Sequence, residues 1–135
     1  MTLSENTKVI MTREVIEFPQ DSTSALSAVA LHVYKVSTIS GFHENDDDMQ
    51  NGRFGEFCAN LHGEVSELWE AFRKGNLHKQ CDKSVKLTCT AEELADIIIR
   101  AMDTAVTLGI DIGEAVAAKD AYNQTRPYKH GDKRA

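Results

Sequence analysis

The sequence predicts an all-α fold, a four-helix bundle with an extended N-terminal arm and a C-terminal tail. Three observations carry that expectation. Apolar residues recur at helical spacing in four separate stretches, three of those stretches are stopped by glycine while the fourth opens on a capping pattern, and the connections between them are polar.

Residues 1–20 read as the arm: Val9-Ile10-Met11 and Val15-Ile16-Glu17-Phe18 are β-prone and end at Pro19, which suits an extended segment or a short strand. Residues 21–135 read as a single helical domain. Asp21 and Ser22 cap a first helix over 23–40, with Leu26, Val29, Val33 and Val36 on one side and Gly41 as its stop. A polar loop containing Asp46-Asp47-Asp48 leads to a second helix over 54–74, whose stripe is Phe54, Phe57, Cys58, Leu61, Val65, Leu68, Trp69 and Phe72, with Gly75 beyond it. After a loop rich in Lys, Asp and Ser, a third helix starts at Thr90 and stops at Gly109. Asp111 with Glu114 makes a capping-box pattern for a fourth helix ending near Asn123, and Pro127 and Gly131 make the tail non-helical. On the third helix, apolar residues from Leu94 to Leu108 spread over about 200° of the wheel at ~100° per residue. Such an arc requires packing on two sides, most simply through self-association.

Composition narrows the function classes. The 135 residues are 41% hydrophobic and 27% charged, enough for one domain with its own core. No apolar run approaches the ~20 residues that cross a bilayer, and the N-terminus lacks the basic-then-apolar pattern of a signal peptide, so no membrane partner and a cytoplasmic location are expected. Cys58, Cys81 and Cys89 are sparse and lack framework spacing, consistent with reduced thiols. A net charge of −6 argues against a nucleic-acid polymer as partner. From Lys119 onward, however, Lys119, Arg126, Lys129, Lys133 and Arg134 outnumber Asp120 and Asp132, so an acidic body carries a basic tail. That asymmetry suits an anionic ligand held between a metal and a cationic clamp.

Two acidic pairs stand at i, i+3: Glu64 and Glu67 on the second helix, Glu93 and Asp96 on the third. Each pair shares a helical face, and Glu64 and Glu93 fall at the edges of apolar stripes. If those edges meet, four carboxylates converge, and each pair ~6 Å apart repels by roughly 3 kcal/mol at an effective dielectric of about 20. Hard divalent cations, Mg²⁺ or Mn²⁺, relieve such repulsion. The alternative is two solvated helix faces, with Glu93 serving Thr90 in a capping box. Near the C-terminus, Lys119, Tyr122, Asn123 and Arg126 share another face. Its two cations, phenol and amide suit a phosphate chain and sugar, and equally suit a solvated helix end.

Together, Glu64-x-x-Glu67, residues 68–92, Glu93-x-x-Asp96 and the tail Lys119-x-x-Tyr122-Asn123-x-x-Arg126-Pro127-Tyr128-Lys129-His130-Gly131 resemble the short MazG-like proteins. These belong to the all-α NTP pyrophosphohydrolase superfamily, with the dimeric dUTPases and the dCTP pyrophosphatases. The resemblance covers about residues 54–131. It implies a homodimer or homotetramer with Mg²⁺ (Mn²⁺ as substitute) bound by Glu64, Glu67, Glu93 and Asp96. It also implies hydrolysis of a (deoxy)nucleoside triphosphate to the monophosphate and pyrophosphate, as in house-cleaning of nucleotide pools. Lys119, Tyr122, Asn123 and Arg126 would hold phosphate or sugar. Bound metals would lower the pKa of a water that a carboxylate, here assigned to Glu64, orients for in-line attack.

Other residues keep two readings. His43, Phe42 and Phe54 suit a base pocket, or core aromatics with a loop histidine. Trp69 reads as core rather than base platform, and His62 as surface rather than metal support. Arg100 and Asp103 continue the Asp96 face as supports of the metal site or as a surface ion pair. His78, Cys81, Asp82 and Cys89 match no common zinc spacing, and the Asp46–Asp48 run lacks the EF-hand pattern. Two competing functions remain: a non-enzymatic helical oligomerisation module, and hydrolysis of a different pyrophosphate such as a phosphoribosyl nucleotide.

Overall fold

The computed structural model describes residues 15–45, 52–83 and 86–126. The chain is an all-α four-helix bundle: α1 (Ser22–Ile39), α2 (Arg53–Arg73), α3 (Cys89–Thr107) and α4 (Ile112–Gln124). The Asp46–Asp48 run, the first fourteen residues and the tail from Pro127 lie outside the described residues.

Local chemistry sets the helix ends. Gly41, Gly75 and Gly109 follow the last turns of α1, α2 and α3 at φ +85°, +69° and +71°. Beyond each, the next amide reaches back to close the turn: Phe42 to Ser37, Asn76 to Ala71 and Ile110 to Ala105. Asp111 caps α4, its carboxylate accepting from the Glu114 amide at 3.0 Å. The Ser27 hydroxyl donates to the same oxygen at 2.6 Å. These bonds, Ser27's first and then the backbone amides of Glu114 and Gly113, hold the Asp111 carboxyl below its usual range.

Two caps differ from expectation. Asp21 stands at the start of α1 with φ +61° and makes no side-chain cap bond. α3 begins one residue early, because the Thr88 hydroxyl accepts from the Ala91 amide at 3.2 Å. Thr90 instead donates to the Leu77 carbonyl at 2.7 Å, tying the α2–α3 loop to the helix. A backbone bridge between Gln80 and Thr88 and an ion pair from Lys83 to the buried Glu92 complete that loop.

α3 is the central helix, with α2 packed on one side and α1 on the other; α4 packs mainly on α1. The two-sided packing expected of α3 is thus met by two neighbours within one chain. The core so formed consists of small side chains, with Ala30, Ala71, Met102, Ala105 and Cys81 buried and, among the described residues, no large side chain fully so. Large apolar residues line the outside: Val65, Trp69 and Phe72 lie on one flank of α2, and Ile98 on α3 is 54% exposed. Trp69, expected in the core, is 58% exposed and stacks on Phe72 with ring centroids 5.3 Å apart. The stripe of α2 is wider than α3 covers, so its far flank faces outward.

α4 lies against α1 and barely touches α3. Gly113 sits against the Thr23 carbonyl in the first turn of α1. Beyond it the arm residues Val15 to Phe18 lie along α4, framing a hollow of about 300 Å³ with Ala117, Ala121 and Gln124. Gln124 acts there as a strand would: its Oε1 accepts from the Ile16 amide and its Nε2 donates to the Ile16 carbonyl, both at 2.8 Å. Residues 15–19 are thus extended without forming a strand.

Candidate metal centre

The α2–loop–α3 hairpin sets the edge of α2 that carries Glu64 and Glu67 against the first turns of α3. One carboxylate oxygen from each of Glu64, Glu67 and Glu93 lies within 4.8 Å of the others. Among the described residues this is the one such grouping of three or more potential metal-binding side chains. Asp96 is not a member of the triplet, but its charge is felt at Glu93. His78, Cys81, Asp82 and Cys89 form no such grouping.

Glu93 is the strained member. Burial, first, and then the charge of Glu67 and a hydrogen bond with it hold the Glu93 carboxyl above its ordinary range, with Asp96 and Glu64 pushing the same way. Its Oε2 is buried with no hydrogen-bond partner among the described residues. The capping-box reading of Glu93 fails, because Thr88 rather than Thr90 caps α3. A buried, unpaired carboxylate oxygen among like charges is what a hard divalent cation satisfies, and the three glutamates could hold one.

Among the described residues one cation touches these acids. The Arg100 Nε donates to Glu64 Oε1 at 2.8 Å, with the Glu64 side chain 12% exposed and that of Arg100 41%. Arg100 and Asp103, which share a face of α3, do different things. Asp103 is buried, its Oδ1 2.8 Å from the His43 Nε2 and its Oδ2 accepting from the Ser37 hydroxyl at 3.2 Å. His43 packs between Tyr34 and Phe57, with centroids 4.6 and 6.0 Å away. The histidine is therefore a core anchor of the α1–α2 loop rather than the wall of a base pocket. Phe42 and Phe54 are exposed, as is His62.

The cationic face stands elsewhere. Lys119, Tyr122, Asn123 and Arg126 are all exposed on α4 and the residues just after it, with the Lys119 Nζ 4.6 Å from the centre of the Tyr122 ring. Among the described residues no hydrogen bond, ion pair or ring contact joins this face to the acids. The distance along α3 explains it: from Glu93 to the helix end at Thr107 is roughly 20 Å at ~1.5 Å per residue, and α4 then follows the arm. Sequence reasoning missed the Lys83–Glu92 pair. It placed Arg100 on the acid face as a support of the metal site or a surface ion pair, and the structure gives its partner as Glu64.

Comparison with known proteins adds one segment. Over 40 residues the chain is 45% identical to a dATP/dGTP diphosphohydrolase of cyanophage S-2L, a stretch covering 30% of this chain and 38% of that protein. No family model matches. No solved structure matches either. The chain thus carries a distant likeness to a nucleotide phosphohydrolase together with an acidic cluster suited to a divalent metal, and no described helix is long and apolar enough to cross a membrane.

Proposed function

We propose that this protein is a Mg²⁺-dependent nucleoside triphosphate pyrophosphohydrolase of the MazG-like kind, converting a (d)NTP to the (d)NMP and pyrophosphate in nucleotide-pool house-cleaning. The observation that carries the reading is the convergence of Glu64, Glu67 and Glu93 around a buried, unpaired Glu93 oxygen. The likeness to a dATP/dGTP diphosphohydrolase supports the substrate class and puts purine deoxynucleotides first among candidates.

Bound Mg²⁺ supplies charge neutralisation along the phosphate chain and a more acidic water. The chain's residues do the rest. Glu64, Glu67 and Glu93, with Asp96 beside them, would hold the cation from two helices, α2 and α3. Glu64 has Oε1 engaged by Arg100, which leaves Oε2 to accept a hydrogen bond from the attacking water. Lys119, Tyr122, Asn123 and Arg126 hold phosphate or sugar, and since α4 departs from the far end of α3, a second copy of the chain provides them. The exposed apolar flank of α2 and the lack, among the described residues, of a fully buried large side chain support a homodimer or homotetramer. Sedimentation at micromolar concentration should show at least a dimer; a stable ~15 kDa monomer would remove both the assembly and the shared site.

The test of the reaction is a panel of canonical and modified dNTPs with Mg²⁺, scoring pyrophosphate against orthophosphate. Pyrophosphate should be the first product and chelation should stop its release. Orthophosphate appearing first would overturn the bond assignment. A second reading, a non-enzymatic oligomerisation module, is favoured only by the exposed Trp69–Phe72 flank. It requires no turnover across the panel.

A further inference from the structure

Beside the acids, Arg100 is bonded through one nitrogen of three. Its Nε is spent on Glu64, on the more buried side of the contact. Neither terminal nitrogen has a hydrogen-bond partner among the described residues, and the side chain is 41% exposed. A guanidinium is planar and rigid, so fixing Nε on Glu64 also fixes the direction of the remaining N–H groups. Arg100 stands on the face of α3 that carries Asp96 and Glu93, four and seven residues along from them, within reach of whatever those acids hold through a metal.

The charges at the site make that fork useful. A triphosphate bears about four negative charges, and the four carboxylates repel it until cations intervene. Among the described residues Arg100 is the one cation paired with any of the four acids. Lys119 and Arg126 stand on and just after α4, beyond the far end of α3. Lys83, on the neighbouring loop, is committed to Glu92.

We propose that Arg100 is a substrate-binding residue whose terminal nitrogens grip a phosphate oxygen of the bound triphosphate while its Nε keeps Glu64 in place. The inference rests on the triphosphate reading and deepens it. One planar group then links the position of the phosphate to the position of the carboxylate that orients the water. Lysine cannot do both, because a single ammonium point charge lacks the fork.

Calorimetry on the full chain tests this with two probes: Mn²⁺ alone, and the non-hydrolysable α,β-methylene-dATP with Mg²⁺. Arg100→Gln should weaken the nucleotide analogue by about 10- to 100-fold, the range for a charged hydrogen-bond partner. Arg100→Lys should recover part of that loss. Mn²⁺ affinity should hold or rise in both variants, because each keeps or removes positive charge beside the acids without removing a ligand. Steady-state kinetics should show KM raised and kcat lowered together in Arg100→Gln. Analogue binding as tight as wild type in Arg100→Gln would overturn the proposal. So would Mn²⁺ affinity falling in step with analogue affinity, which would reduce Arg100 to a brace for Glu64. Failure of the wild-type protein to bind this analogue and the α,β-methylene analogues of the other dNTPs would instead overturn the triphosphate reading and this inference with it, and would show without any substitution.

Discussion

Replacing Glu93 with glutamine is expected to lower Mg²⁺-dependent turnover by about a thousandfold or more while making the metal-free protein more stable at neutral pH. The first effect follows from the loss of a metal ligand, since charge stabilisation worth several kcal/mol at the transition state corresponds to about three orders of magnitude. The second follows from the site's electrostatics. Burial and the neighbouring Glu67, Asp96 and Glu64 hold the folded-state pKa of Glu93 above the unfolded value of 4.5. Below that value both states are protonated and the full stability is present. As pH rises, the unfolded chain ionises first while folded Glu93 keeps its proton, so stability falls through the window between the two values and stays lower above it. Glutamine removes that loss, and in wild type a bound divalent cation offsets it by favouring the ionised carboxylate. Urea unfolding in chelator from about pH 4 to 7.5, with and without Mg²⁺, reads the stability effect across the window in which carboxylates titrate. Glu93→Gln that is less stable than wild type at neutral pH in chelator, or that still turns over, would mean the triplet is only a crowded surface. Glu67→Ala should lose turnover similarly, with the smaller stability gain expected of an exposed residue.

The parts of this molecule legible in its sequence are those set within one turn of helix. Gly41, Gly75 and Gly109 stop helices because the closing residue must take a left-handed conformation, and Asp111 caps because its carboxylate reaches its own backbone amides. The i, i+3 acids are likewise local, and the expectation that the two edges meet holds for Glu64, Glu67 and Glu93. What failed depends on which helix lies beside which. Trp69 belongs to an apolar stripe, but periodicity does not say how much of a stripe a neighbour covers, and α3 covers the Glu64 side of it. The arc of α3 demanded packing on two sides, and α1 and α2 supply it within one chain, which periodicity alone does not specify. Thr88 and Thr90 are equally good caps by type, and the choice between them falls to the Leu77 carbonyl, a loop contact no spacing rule encodes. The separation of Lys119 and Arg126 from the acids follows from the path of α4, which is set by the contact at Gly113.

That contact gives the largest expected effect on stability. In an open helix, Gly→Ala stabilises by about 0.5–1 kcal/mol, since alanine loses less backbone entropy on folding. At Gly113 the sign should reverse. A Cβ there would lie 2.1 Å from the Thr23 carbonyl oxygen and 2.5 Å from the Ser27 Oγ, and the Thr23 carbonyl carbon would be 2.9 Å away. The first obstacle is backbone in the opening turn of α1, so no rotamer change relieves it. α4 must lift off α1, which weakens the 2.6 Å Ser27–Asp111 bond and opens the apolar hollow lined by Ala30, Leu31, Val106 and Ile112. Overpacking of this kind costs about 1–3 kcal/mol or more, so a net loss of roughly 2–3 kcal/mol is expected for Gly113→Ala, and a larger one for Gly113→Val. Gly63 supplies the control: it is exposed in the middle of α2, a Cβ added there would meet nothing within 4 Å, and Gly63→Ala should gain stability where Gly113→Ala loses it. Urea unfolding of the two variants reads opposite shifts in midpoint. Gly113→Ala as stable as wild type would mean that α4 does not rest on α1 through this glycine, and the route that carries Lys119 and Arg126 away from the acids would fall with it.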